Sequence, residues 1–141
     1  MWSKDELTDV VFKGWFESYK ESSLDYPDDP RKADFSLWIL DYLPDSGLFL
    51  ARTNDHFGES GIIGTILGSQ IKFDKAYPNL PYVRSRAIRS KGFFDDYNFR
   101  IIHYSGEIIK PDNVITAGGD YTHRGMKGPN GTWRMDSQPK K

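Results

Sequence analysis

Apolar and polar residues alternate with a period of two along most of this chain, and the repeat of an amphipathic helix is nearly absent. One helix-like piece stands at the start, where Ser3 and Glu6 form an S-x-x-E capping box ahead of Leu7, Val10 and Val11. It predicts a turn or so of helix. Behind it follow eight segments of β character. They are VVFKGWFESY at 10–19, DFSLWILDYL at 34–43, GLFLART at 47–53, GIIGTILG at 61–68, QIKFDKAY at 70–77, FRIIHYSGEI at 99–108, NVITAGGDY at 113–121 and GTWRMD at 131–136. Most connections are short and rich in turn residues (PDSG at 44–47, NDHFGES at 54–60, GSQ at 68–70, KPDN at 110–113), which makes chain neighbours antiparallel.

Side chains alternate across a strand, so the charged parity marks the solvent face. Lys13 and Glu17 leave Phe12, Gly14, Phe16 and Ser18 pointing inward, and Lys72 and Asp74 leave Ile71, Phe73, Lys75 and Tyr77. Glu107 selects Ile102, Tyr104, Gly106 and Ile108, with His103 outside. Asp120 selects Ala117, Gly119 and Tyr121, and Arg134 selects Gly131, Trp133 and Met135. The second and third strands are apolar on both faces. Parity there leaves open whether Phe35, Leu37 and Ile39 or Trp38, Leu40 and Tyr42 face the core.

On the inner faces a glycine stands repeatedly two residues before an apolar or aromatic one: Gly14/Phe16, Gly64/Ile66, Gly106/Ile108, Gly119/Tyr121 and Gly131/Trp133. Glycine weakens a strand, and its usual justification is a sharp bend or the close approach of another backbone. Repeated bends curl a sheet, and eight curled antiparallel strands close, which removes both sticky edges. The fold class expected is all-β: an eight-stranded antiparallel up-and-down meander barrel with a short N-terminal helix.

Several of these stretches resemble the calycin group, meaning lipocalins, fatty-acid-binding proteins and avidins, small meander barrels that bind a ligand inside. The resemblance is carried by FKGWF at 12–16, GIIGTILGSQIKFDKAY at 61–77, IHYSGEI at 102–108 and GTWRM at 131–135. FKGWF is similar to the F-x-G-x-W opening strand of such barrels, preceded there by a short helix that plugs one end. It departs in placing Phe16 on the parity of the family's tryptophan and Trp15 on the solvent parity. In the family an Arg or Lys of the last strand packs over that tryptophan, and Arg134 is the matching residue. The biotin-site residues of avidins have no counterpart. The resemblance implies a ligand-binding barrel and leaves the ligand open.

Two insertions fall between strands. KESSLDYPDDPRKA at 20–33 is polar, whereas PNLPYVRSRAIRSKGFFDDYN at 78–98 puts Arg84, Arg86, Arg89 and Lys91 among Tyr82, Phe93, Phe94 and Tyr97. Cations beside aromatic platforms suit single-stranded nucleic acid, but Asp95 and Asp96 follow directly, and a solvated loop or a lid over the barrel is expected instead. SQPKK at 137–141 is expected to be a disordered tail, leaving 1–136 as a single calycin-like barrel domain.

Composition narrows the function. The 141 residues carry 19 Lys and Arg against 20 Asp and Glu, a net charge of −1, and that balance argues against a nucleic-acid or membrane partner. No apolar run approaches the roughly 20 residues that span a bilayer. MWSKDELTDV lacks the apolar core of a signal peptide, so a cytoplasmic location is expected. The absence of cysteine rules out disulfides, thiolate metal sites and cysteine nucleophiles. The three histidines share no ligand spacing, and His56 and His123 read as solvated turn residues, so neither metal nor cofactor is expected. Asp55 and Gly58 read as ordinary hairpin chemistry. There is no G-x-S-x-G elbow and no phosphate-cradling P-loop, and the carboxylate pairs Asp28–Asp29 and Asp95–Asp96 lie in loops where their side chains diverge into water. No catalytic residue is assigned.

What remains is a polar set on the inner parity: Ser18, Lys75, Tyr77, Tyr104 and Tyr121. A buried hydroxyl or ammonium costs several kcal/mol unless paired, so a barrel carrying these groups satisfies them by network, water or ligand. With Phe16, Phe73 and Trp133 they are the expected lining of a small-molecule site. The rings surround an at least partly apolar ligand, and Lys75 favours an acidic group on it. In the plain alternative Lys75 and Tyr77 snorkel to the rim and the tyrosines fill a solid core. Function then moves outside, to a homo-oligomer or protein partner met through Trp15, Tyr19 and the 78–98 insertion. A small isomerase or hydrolase using the interior tyrosines and Lys75 is a third possibility.

Overall fold

A computed structural model of the chain describes residues 2–19, 32–55, 58–76, 101–123 and 127–139. Helix α1 (Lys4–Thr8) precedes eight strands: β1 (Val10–Ser18), β2 (Lys32–Leu43), β3 (Leu48–Asp55), β4 (Gly58–Leu67), β5 (Gln70–Ala76), β6 (Ile101–Ile109), β7 (Thr116–His123) and β8 (Gly131–Pro139). Each pairs antiparallel with its chain neighbour, and β8 returns to β1 from Val10↔Pro139 to Ser18↔Gly131, closing the barrel. This is the up-and-down eight-strand barrel that the alternation predicts. No helix among the described residues is long and apolar enough to cross a membrane.

The inner-face glycines explain the closure. A Cβ placed on Gly14, Gly64, Gly106, Gly119 or Gly131 would lie 2.0–2.3 Å from a carbonyl oxygen of the adjacent strand. At Gly106 and Gly119, which face each other across β6 and β7, no side chain of any size fits between the two backbones. The strands cross here more closely than a pleated sheet with side chains allows.

The second strand shows why its parity was unreadable. Phe35, Leu37 and Ile39 point inward, then the register with β3 shifts between Ile39 and Asp41, and the inward position moves to Tyr42. A bulge of one residue switches faces midway, so both readings are correct for part of the strand. In β3 the inward set is Phe49, Ala51 and Thr53. Several segments also run longer than the sequence implied. β8 continues through 137–139, where a disordered tail was expected, because Ser137 donates its N–H to Ile115 O and its Oγ accepts from Ile115 N. β3 and β4 extend to Asp55 and from Gly58, so Asn54, Asp55, Gly58, Glu59 and Ser60 of NDHFGES belong to the ladder. The insertion at 78–98 and most of 20–33 lie outside the described residues, while Lys32 and Ala33 already belong to β2.

The barrel has two unlike ends. Ser3 caps α1 with the expected box, accepting from Glu6 N while the Glu6 carboxylate accepts from Ser3 N. The helix is tied across one end: Lys4 pairs with Asp41, Lys110 with Glu6, and Trp2 Nε1 donates to Gly68 O. Leu7 of the helix is buried with Phe12, Leu37, Ile39, Ile66, Ile71, Ile108 and Met135 of the strands, each at most 1% exposed. The inner positions of the other end, where β1, β3, β5 and β7 finish, include Ser18, Asp55, Lys75 and His123.

The backbone approaches set a test. Gly106→Ala is expected to lower stability by about 2–3 kcal/mol in urea unfolding. Gly61→Ala, with nothing within 4 Å of its Cβ, is expected to leave it unchanged or slightly raised. Equal effects at the two positions would contradict the account of closure.

Candidate functional site

The polar end is built around one ion pair. Lys75 and Asp55 are both inward positions, on β5 and β3, with β4 between them. Two strand spacings are about 9–10 Å, a span that a lysine stem and an aspartate together cover. Lys75 Nζ lies 3.1 Å from Asp55 Oδ2, and the two side chains are 3% and 0% exposed. The ammonium is also framed by rings, 4.7 Å from the centroid of Phe16 and 5.2 Å from that of Tyr104, so two aromatic faces replace part of its lost hydration.

Hydroxyls complete this layer. Thr53 and Ser60, opposite each other on β3 and β4, share a buried hydrogen bond through their Oγ atoms. Ser18 hydrogen-bonds the Tyr121 phenol, but burial outweighs that bond and pushes the phenol's pKa up to about 12, helped by Glu17 and Tyr19. Burial also holds the Tyr104 phenol well above its ordinary range, and Tyr121 and the Asp55 carboxylate add to the effect. Both phenols are therefore neutral donors and acceptors at physiological pH. Among the described residues no three His, Asp or Glu side chains converge as a metal site would require.

Beneath this layer the aromatic side chains pack on one another. Phe73 stacks on Tyr104 at 4.7 Å between centroids, and Trp133 meets both edge-on at 5.3 and 5.8 Å. Phe49 touches Phe73 from the closed end, and Trp133 Nε1 donates to Ser105 O and Asp120 O. Phe73, Tyr104 and Trp133 thus form a floor across the barrel, and Phe16, Phe35 and Tyr121 rise from it toward the polar end.

Of the residues read from sequence as lining, the structure brings together Phe16, Ser18, Phe73, Lys75, Tyr104, Tyr121 and Trp133. Tyr77 lies outside the described residues, as does His56. Lys72 and Asp74 face outward, as parity requires. Lys75 does not snorkel to the rim: it is buried and turned on Asp55. Two readings are corrected. Asp55 is an interior strand residue and not turn chemistry, because the β3 ladder continues two residues past the predicted end. His123 is the last residue of β7 and not a turn residue; its ring meets Tyr121 edge-on at 5.7 Å, and its backbone N–H donates to Asn130 Oδ1. Outside the barrel, Arg134 faces Trp15 across β1 and β8, but the cation over the Trp15 ring is Lys32, at 4.8 Å.

Asp55, Thr53 and Ser60 were missed. The signal was present: Arg52 and Asn54 mark the outer parity of β3, and extending the alternation by two residues places Thr53 and Asp55 inside.

The pair carries its own stability test. Lys75→Met leaves the Asp55 carboxylate buried beside a thioether and is expected to cost about 3–5 kcal/mol. Adding Asp55→Leu is expected to recover most of that loss, as read by urea unfolding. A single variant as stable as wild type would contradict the burial of the pair.

The closed eight-strand antiparallel barrel agrees in architecture with the calycin resemblance, but in comparison with known proteins the chain matches no family model, no curated protein and no solved structure.

Proposed function

We propose that this protein is a calycin-like barrel that binds a small, partly apolar molecule at its polar end. The observation that carries the reading is the Lys75–Asp55 pair, held out of water between Phe16 and Tyr104. An ion pair inside a core gives little net stability, and apolar residues of similar volume commonly serve folding as well or better. Such a pair at one end of a barrel, with the Ser18, Tyr104 and Tyr121 hydroxyls near it, has the make-up of a binding site: apolar walls and a few convergent polar groups. The contrast with the apolar end under α1 supports the same reading. The ring floor of Phe73, Tyr104 and Trp133 limits the ligand to the layer above it.

The same groups bear on the isomerase or hydrolase alternative. Neutral phenols and an ammonium already paired with a carboxylate are poor proton-transfer groups near neutral pH. Binding without chemistry is the better fit.

The test uses Trp133 as the interior reporter in a variant with Trp2, Trp15 and Trp38 changed to Phe. Saturable energy transfer from Trp133 to the apolar dye N-phenyl-1-naphthylamine is expected, together with a noncovalent adduct in native mass spectrometry. No transfer and no adduct would overturn the reading.

One observation favours a second reading, assembly. On the outer face of β2, β3 and β4, Leu40, Leu43, Leu50, Ile63 and Leu67 are each 44–55% exposed, and Leu50 and Ile63 face each other across the ladder. This block, rather than Trp15 and Tyr19, is the larger apolar surface among the described residues. The Lys4–Asp41 pair, between α1 and β2, and the Arg52–Glu59 pair, between β3 and β4, set both signs of charge beside it, so a two-fold axis sets acid against base, and the occupant it suits is a second copy of this chain. Sedimentation velocity should then show a dimer that Ile63→Lys converts to monomer. A wild-type monomer at high micromolar concentration would contradict assembly.

A further inference from the structure

We infer that the molecule bound at the polar end presents an uncharged head with both a hydrogen-bond donor and an acceptor, as in a carboxamide, a lactam or a hydroxy-ketone, on an apolar body. This rests on the binding reading above and names its ligand class. Read from sequence, Lys75 invites a carboxylate. The structure shows that the chain supplies one itself, Asp55, with Oδ2 at 3.1 Å and both side chains closed to solvent. A second anion brought to Lys75 comes within a few ångströms of Asp55, where like charges shielded from water repel strongly. A cation brought to Asp55 meets Lys75 in the same way. A neutral head meets neither penalty.

The neighbours agree. The Tyr104 phenol stands in the field of Asp55, which joins burial and Tyr121 in keeping it protonated, so an anionic oxygen at that place is already disfavoured. Ser18 and Tyr121 carry hydroxyls, groups that both donate and accept, as a neutral amide or ketol head requires. Phe16 and Tyr104 flank Lys75 Nζ and favour its remaining a cation beside Asp55.

The experiment displaces N-phenyl-1-naphthylamine from the full chain with decanamide or with sodium decanoate, which share a chain length and differ in head charge. Release of the dye from neutral detergent micelles by the same two compounds sets the preference due to apolarity alone. Wild type is expected to favour the amide by roughly tenfold beyond the micelle ratio, and Asp55→Asn to move the ratio about tenfold toward decanoate. A wild-type ratio equal to that of micelles, or one favouring decanoate, overturns the neutral-head inference and leaves the binding reading intact. So does an Asp55→Asn ratio that stays where it was. Should that variant not fold, the wild-type ratio against micelles decides alone. A wild type that takes up neither dye nor either compound ends the binding reading, and this inference with it.

Discussion

A charge enclosed in a β-barrel must find its counter-charge inside the barrel, and in this protein that requirement organises one whole end. Lys75 and Asp55 meet across β4, the rings of Phe16 and Tyr104 take up two sides of the ammonium, and hydroxyls pair in the same layer: Thr53 with Ser60, and Ser18 with Tyr121. The opposite end has no such requirement and is filled by aliphatic and aromatic side chains under α1. The asymmetry is imposed by desolvation: polar groups are tolerated where partners converge, and elsewhere the interior is apolar.

Closure makes this enclosure possible, and closure rests on backbone contacts that only glycine permits. Gly106 against Gly119, and Gly14 against the β8 backbone, bring strands together at points where any Cβ would collide. The curl thus comes from what is missing at five positions as much as from what is packed at the others. With both edges joined, β1 to β8, none of the eight described strands is left with an open edge.

Much of this was legible in the sequence because a single charged residue settles the parity of an entire strand. Lys72 and Asp74 sufficed to turn Ile71, Phe73 and Lys75 inward, and Arg134 did the same for Trp133 and Met135. The glycine spacing announced the curl. Parity fails where the pleat is interrupted: in β2 the bulge after Ile39 exchanges the faces, so no single alternation describes the strand. It also fails where a strand is cut short in the reading. Stopping β3 at Thr53 turned Asp55 into a hairpin residue and hid the partner of Lys75, and from that omission came the expectation of an acidic ligand. The partner of a buried charge is a tertiary fact, set by which strands flank β4, and local sequence carries it only once strand order and register are known.

The central claim is that Lys75 is an ammonium held inside the barrel by Asp55. Nitrogen-15 NMR of the lysine side chains tests it most directly. The account predicts one slowly exchanging ammonium signal at neutral pH, assigned to Lys75 by its loss in Lys75→Met and shifted in Asp55→Asn. A Lys75 signal that exchanges with water as fast as the surface lysines, or that has the chemical shift of a neutral amine, would contradict it.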